Sequence, residues 1–306
     1  MKKMITLFAI SWVCLLQAQT PSLKLRLQER ETYTMQIEQN SDIVQSAMGQ
    51  EMKVTSKVQM SSSYKVMGRQ DGKWLIEARY LEVNSRTVAP TGDISFGSNA
   101  EHKDDISVVI KAMIKAMVNK PYTVLVTDAG EIVSVTGLDE ILAEMESDLA
   151  SLPRARRRTA EDQVKAGFGA EPTKSLMEMC FMKDPERELR AGLVWTTRDT
   201  TVVGENKMIA DYQCKIDNLD QEAIHTSVTG TIQTDRNSKP IIANGAEVKT
   251  QLDGSVRGKN LLNPHTGWCI ETEQLYDITG YVTYSMGGNT MDIPLKMTVK
   301  ATIKKL

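Results

Sequence analysis

The stretch MKVTSKVQMSSSYKV, from Met52 to Val66, is the most regular text in the chain. Met52, Val54, Ser56, Val58, Met60, Ser62, Tyr64 and Val66 share one parity; Lys53, Thr55, Lys57, Gln59, Ser61, Ser63 and Lys65 share the other. A two-residue period held this long marks a strand with one packed and one wet face. At about 3.3 Å per residue it extends on the order of 50 Å. The C-terminus repeats the pattern, with Met291, Ile293, Leu295, Met297, Val299, Ala301 and Ile303 alternating against Asp292, Pro294, Lys296, Thr298, Lys300, Thr302 and Lys304. Pro294 has no N–H for a ladder, which predicts a sheet edge or a bulge there.

Three further alternating runs lie between these ends: Met208 to Ile216, Ile224 to Ile232, and Ala246 to Leu252. Turn-forming residues separate them at Asn218–Gln221, at Asp235–Pro240, and at Asp253 and Gly254, the pattern of an antiparallel meander. A weak internal echo, Glu38, Gln39, Asp42 and Ile43 against Glu273, Gln274, Asp277 and Ile278, precedes Met48-Gly49 in one case and Met286-Gly287 in the other. It suggests two long hairpins bracketing the fold, with coincidence among Met-rich strands as the alternative.

The period changes in the middle. Ile106, Val109, Ile110, Met113, Ile114 and Met117 form one helical stripe, and Leu138, Ile141, Leu142, Met145 and Leu149 another. Thr136 with Asp139, and Thr159 with Asp162, resemble capping boxes. Pro172 stands where a last helix carrying Leu176, Met177, Cys180 and Phe181 begins. Tyr122–Val126 and Ile132–Val135 form a hairpin between the first two helices. The predicted fold is α+β: a large curved antiparallel sheet of long strands, with a helical insert at about 104–182 packed on one face.

At the N-terminus, Lys2 and Lys3 precede an apolar run from Ile5 to Leu16, then Gln17 and Ala18. This tripartite form predicts a signal peptide over residues 1–18 and a single domain over 19–306, exported to the periplasm or outer surface of a Gram-negative cell. Ser11, Trp12 and Val13 are not the small residues that precede a lipidated Cys14. The apolar run is too short to span a bilayer as a helix, so no membrane span is expected. Without residues 1–18 the balance is 35 basic against 39 acidic residues, a net charge of about −4 that gives nucleic acid no handle. Cys180, Cys214 and Cys269 remain after Ala18. Cys214 and Cys269 fall on strand text, where they either meet as sheet neighbours or stay free and buried.

The runs Lys120-Pro121-Tyr122-Thr123-Val124, Ala129-Gly130-Glu131-Ile132-Val133 and Gly137-Leu138-Asp139, with the turn at Met48-Gly49-Gln50, resemble a secreted family of unknown function found in Bacteroides-like bacteria, of the domain of unknown function 6263 type. The resemblance spans most of the chain after Ala18. It implies an exported envelope protein and supplies no catalytic residues. The sequence departs from the family's usual form at Ala191-Gly192-Leu193-Val194-Trp195, where a more polar residue follows the glycine.

Chemistry-bearing motifs are sparse. His102, His225 and His265 are scattered without ligand spacing, no Gly-x-Ser-x-Gly elbow occurs, and the glycines at 254–258 and 287–288 read as hairpin turns and not as phosphate cradles. No cofactor or metal is expected. Asp217, Asp220 and Glu222 read as a solvated turn before they read as a calcium site. Arg154, Arg156, Arg157 and Arg158 form a basic patch, in a solvated loop or at a helix N-terminus, or against anionic headgroups or a partner's acids. The methionine stripes carry the functional expectation. Met113, Met117, Met145, Leu149, Met177 and Phe181 on the helices, facing Met52, Met60, Met291 and Met297 on the sheet, make either a plain core or a deformable cavity for a lipophilic guest. The leading expectation is a noncatalytic envelope protein that binds a lipophilic molecule or an envelope protein in a helix-covered apolar interior. The alternative is a structural or protein-interaction module with a solid core, and a hydrolase assembled from distant residues ranks behind both.

Overall fold

The computed structural model describes residues 21–306 other than 48, 91, 99–105, 151, 204–205, 236, 239 and 244–245. The chain is mostly antiparallel β-sheet with a few short helices. Two long hairpins stand at its ends. The first is β1 (Thr32–Ala47) with β2 (Gln50–Gln70), and the second is β12 (Cys269–Met286) with β13 (Asn289–Lys305). They are also neighbours, because β1 pairs with β13 from Met35↔Lys305 to Gln45↔Leu295.

On the β2 side follow β3 (Lys73–Ala89), with the short β4 (Gly92–Gly97) paired to it, then β5 (Pro121–Val126) and β6 (Ile132–Thr136). On the β12 side follow β11 (Ala246–Leu262), β9 (Ile224–Thr234), β8 (Asn206–Leu219) and β7 (Val194–Val203), while β10 (Ile241–Ala243) pairs with β11. Among the described residues, four helices lie between β4 and β7: α1 (Ile106–Met117), α2 (Leu138–Asp148), α3 (Arg154–Phe168) and α4 (Ala170–Glu178). Strands β6 and β7 are the two ends of the hydrogen-bonded path, and both contact α4. The sheet is therefore not flat, since its two edges reach one nine-residue helix.

The parity read from the sequence holds. Ser62, Tyr64 and Val66 of β2 are buried, as are Met297, Ala301 and Ile303 of β13. Burial fades along the strands, and Met52 and Met291, on the same face, are 39% and 41% exposed. The predicted helical stripes are buried too, with Leu138, Ile141, Leu142, Met145 and Leu149 all inside. One cluster joins these helical residues to Tyr33, Tyr64, Ile76 and Val124 of the strands. A second cluster, Met208, Ala210, Ile232, Leu252, Ile278 and Met297, comes from strands alone.

Trp268, 1% exposed, ties the main cluster together. Its ring stacks on Tyr33 at 4.1 Å, meets Phe181 edge-on at 5.1 Å, and its indole N–H donates to Met35 Sδ at 3.4 Å. Beside it runs a segment the sequence reading passed over. Leu23, Leu25 and Leu27 are buried, Leu25 N–H donates to the Asp128 carbonyl at 2.7 Å, and Trp74 Nε1–H donates to the Leu25 carbonyl at 3.3 Å.

Several local expectations are corrected. β13 is a central strand, and Pro294 is accommodated because the β1 ladder stops at Leu295. Asp253 and Gly254 form no turn; β11 runs through them and through Gly258. α2 is not capped by Thr136, which ends β6; Gly137 holds the N-cap at φ 92° with no side-chain cap. α3 begins at Arg154, after Pro153, so Thr159 and Asp162 lie inside it. Cys180 and Phe181 fall just beyond α4.

Glycines on the inner face mark where the strands crowd. A Cβ on Gly280 would stand 1.9 Å from the Gln251 carbonyl oxygen, and one on Gly254 would stand 2.4 Å from that of Asp277. Interior strand glycines of this kind mark tight bends and close backbone approach. Gly280→Ala is therefore expected to lower stability by about 2 kcal/mol or more in urea titrations. Gly167→Ala, in α3 with nothing within 4 Å of its added Cβ, is expected to leave it unchanged or raise it by up to about 1 kcal/mol. Equal effects at the two positions would refute the packing argument.

Candidate functional site

Five of the six side chains singled out by the helical stripes lie in the main cluster, and the sixth, Phe181, packs against it. Met113 and Met117 of α1, Met145 of α2, Leu149 at its end and Met177 of α4 are buried in the main cluster. Phe181 differs. It lines a cavity of about 120 Å³ between the end of α4 and the inner face of β7, β8, β9, β11 and β12.

The cavity is mixed in character. Phe181, Met182, Val228 and Cys214 give it apolar walls, and Glu178, Gln274, Tyr212 and Tyr276 bring polar atoms. Strand alternation sets this arrangement, since Tyr212 and Cys214 are two apart on β8, and Gln274 and Tyr276 two apart on β12. The Tyr276 hydroxyl donates to the Gln274 side-chain carbonyl, and Tyr212 lies beside Tyr276. Burial pushes the Tyr276 phenol up to about 12 and Tyr212 higher still. Both rings also pack against the strand-only cluster, so they link the cavity to it.

Glu178 is the ionisable group of most interest. Its side chain is 28% exposed, and burial raises its pKa above the ordinary carboxylate value. Lys174 and Lys183 pull the other way, while Glu171 and Glu131 add to the rise. Lys174 Nζ lies 4.0 Å from the Glu178 carboxylate, one turn earlier on the helix. Lys183 is engaged elsewhere, pairing with Asp199 and donating to the Arg198 carbonyl at 3.3 Å. That carbonyl lies on β7, at the end of the sheet path.

Other sequence candidates resolve into structure. Asp220 accepts the backbone N–H groups of Glu222 and Ala223 at 2.9 and 2.8 Å, closing the β8–β9 turn, and Asp217 pairs with Lys215 at 3.0 Å. His225 Nε2 is 3.9 Å from the Asp220 carboxylate; His265 lies in the turn before β12, and His102 lies outside the described residues. Arg154, Arg156 and Arg158 are exposed at the start of α3. Cys180, Cys214 and Cys269 are free, buried thiols. A wider cleft of about 860 Å³ lies beside Lys249, Gln251, Asp253 and Thr279, whose side chains are polar and solvated.

The outer face of the sheet is charged. Lys57–Glu38 at 3.1 Å, Lys300–Glu273 at 3.0 Å and Arg257–Asp277 at 3.6 Å lie across neighbouring strands. Hydrogen bonds from Asn40, Gln59 and Lys57 hold the Glu38 carboxyl down at about 2.

The model of a family of unknown function (DUF6263) matches residues 71–269, from the β2–β3 turn to the first residue of β12. No curated protein matches the chain. Among solved structures, an outer membrane channel from Pseudomonas putida F1 is similar at 10% identity and TM-score 0.28, over 92% of this chain and 98% of that one. The translocator domain of the autotransporter NalP from Neisseria meningitidis is similar at 8% identity and TM-score 0.23, over 92% and 91%. OccK2 from Pseudomonas aeruginosa is similar at 6% identity and TM-score 0.24, over 91% and 100%.

Two outcomes follow from the buried groups. Burial raises the Cys214 and Cys269 thiols to about 11 and holds Cys180 well above its ordinary value, so all three are expected to resist a thiol reagent in the folded protein and to react in denaturant. Fast reaction of the folded protein would contradict this. Because folding raises the Glu178 pKa, burial penalises the ionised carboxyl, and the folded state loses stability as pH rises through the folded-state value. Glu178→Gln is therefore expected to raise the melting temperature at pH 7 and to change it little at pH 4.

Proposed function

The chain belongs to the family of unknown function DUF6263, and we propose that it is exported to the cell envelope and acts there by noncatalytic binding. The guest is a lipophilic molecule or an envelope component. It is held where the helical insert covers one face of the sheet. The observation that carries this reading is the cavity beside α4, where Phe181, Met182 and Val228 meet a small set of convergent polar groups. Export rests on the tripartite sequence of residues 1–18. The absence of catalytic work rests on the chemistry present, since burial holds the thiols and tyrosines around the cavity protonated and unreactive.

At about 120 Å³ the cavity admits one end of a guest and not a whole acyl chain. A larger guest has to displace the short stretch after α4 that carries Phe181. The second reading, an interaction module with a solid core, is favoured by the burial of Met113, Met117, Met145, Leu149 and Met177 in that core.

Native mass spectrometry of protein purified from its own host separates the two. The binding reading expects a co-purifying small-molecule mass that falls when Ser175, which lines the cavity on α4, is replaced by Trp. A clean mass of the bare chain, together with no stabilisation by any lipid extract of the same cells, would leave the solid module as the answer.

A further inference from the structure

We infer that the cavity beside α4 selects guests carrying an organic ammonium group, with Glu178 as the counter-charge and the Tyr212 and Tyr276 rings as flanking walls. This rests on the binding reading above and names the chemistry of the group that enters.

Three observations carry it. The first is size, because about 120 Å³ suits a compact head group such as a primary or quaternary ammonium. The second is charge. Glu131, Glu171, Glu178 and Asp199 face Lys174 and Lys183 around this end of α4, so carboxylates outnumber ammonium groups. Lys183 is already held by Asp199 and the Arg198 carbonyl, and Lys174 reaches Glu178 only at 4.0 Å. Glu178 is left as a half-buried carboxylate whose one ion pair, with Lys174 at 4.0 Å, is long. An anionic head group would add to that excess, and a cation relieves it. The third is the wall. Tyr212 of β8 and Tyr276 of β12 lie in one inward row with Gly230 of β9 and Val256 of β11 between them, both line the cavity, and aromatic faces attract ammonium ions through their quadrupoles. The hydrocarbon of an amphiphile follows the apolar side of the same cavity, along Met179, Phe181 and Met182.

The test compares three twelve-carbon amphiphiles below their micellar concentrations: dodecylammonium, dodecanol and dodecanoate. Binding is measured by calorimetry to the protein lacking residues 1–18. Dodecylammonium is expected to bind about tenfold tighter than either of the others. Glu178→Gln is expected to bring it down to the level of dodecanol. Lys174→Ala, which removes the competing side-chain cation, is expected to tighten it. Choline chloride and ethylammonium chloride form a further arm. Binding of these alone makes a free small amine the source of the group, and a requirement for the long chain makes it a lipid head; either supports ammonium selection. Equal binding of all three amphiphiles, tighter binding of dodecanoate, or a preference that survives Glu178→Gln overturns the inference while leaving the binding reading standing. Failure of every amphiphile and amine to bind overturns both.

Discussion

One constraint governs this molecule: a path of hydrogen-bonded strands this wide has an apolar face that four short helices cannot by themselves remove from water. The sheet answers by bringing its two end strands, β6 and β7, to the same helix. Short α4 then serves as the seam, and the residues that follow it fill the space between. Phe181 reaches Trp268 on one side of that space and the cavity on the other. Tyr80 of β3 donates or accepts a 3.0 Å hydrogen bond with Thr173 of α4 within the core. Removing buried polar groups from water without such partners is costly, so these few contacts fix where the helix can sit.

Bending so long a sheet requires room on its inner side. Gly230, Gly254 and Gly280 lie at inward positions of β9, β11 and β12, with neighbouring carbonyl oxygens where a side chain would start. Large residues stand opposite them across the ladder: Tyr212 by Gly230, Ile278 by Gly254 and Leu252 by Gly280. Glycine and bulk thus alternate across strands as well as along them. The outer side has no such pressure and carries lysines, glutamates and aspartates in cross-strand pairs, each worth little alone but together keeping the face soluble.

Parity and stripe made most of this legible in the sequence. β2 and β13, the meander of β8, β9 and β11, and the apolar stripes of α1 and α2 follow directly from period, because each records which side of one local element is buried. What escaped depends on distant chain. Pro294 reads as an edge residue until the ladder of β1 is known to stop beside it, and Gly254 reads as a turn until the backbone of Asp277 is seen against it. Thr136 has a capping spacing, but it is held in β6 and Gly137 makes the reversal. Leu23, Leu25 and Leu27 alternate too briefly to be told from linker. The site was harder still. Met stripes predict burial, and Met113, Met117, Met145, Met177 and Met297 are buried, while Met52 and Met291 are exposed. Tyr212 and Tyr276 are separated by most of two hairpins, and no local signal joins them before β8, β9, β11 and β12 are laid side by side.

The energetics of the cavity connect stability to binding. A carboxylate that burial disfavours weakens the empty protein at neutral pH, so Glu178 is a local conflict in a fold whose other levels agree. Such conflicts persist where removing them would remove something useful. Replacing Glu178 by an apolar residue would relieve the strain and erase a cavity carboxylate that, unlike Asp199, is not already paired with Lys183. Linkage makes the two effects one: a ligand that pairs with the carboxylate binds the folded chain and not the unfolded one, and its binding energy adds to folding. The weakness of the empty site and its selectivity for charge then have the same origin in a single side chain at the seam of the sheet.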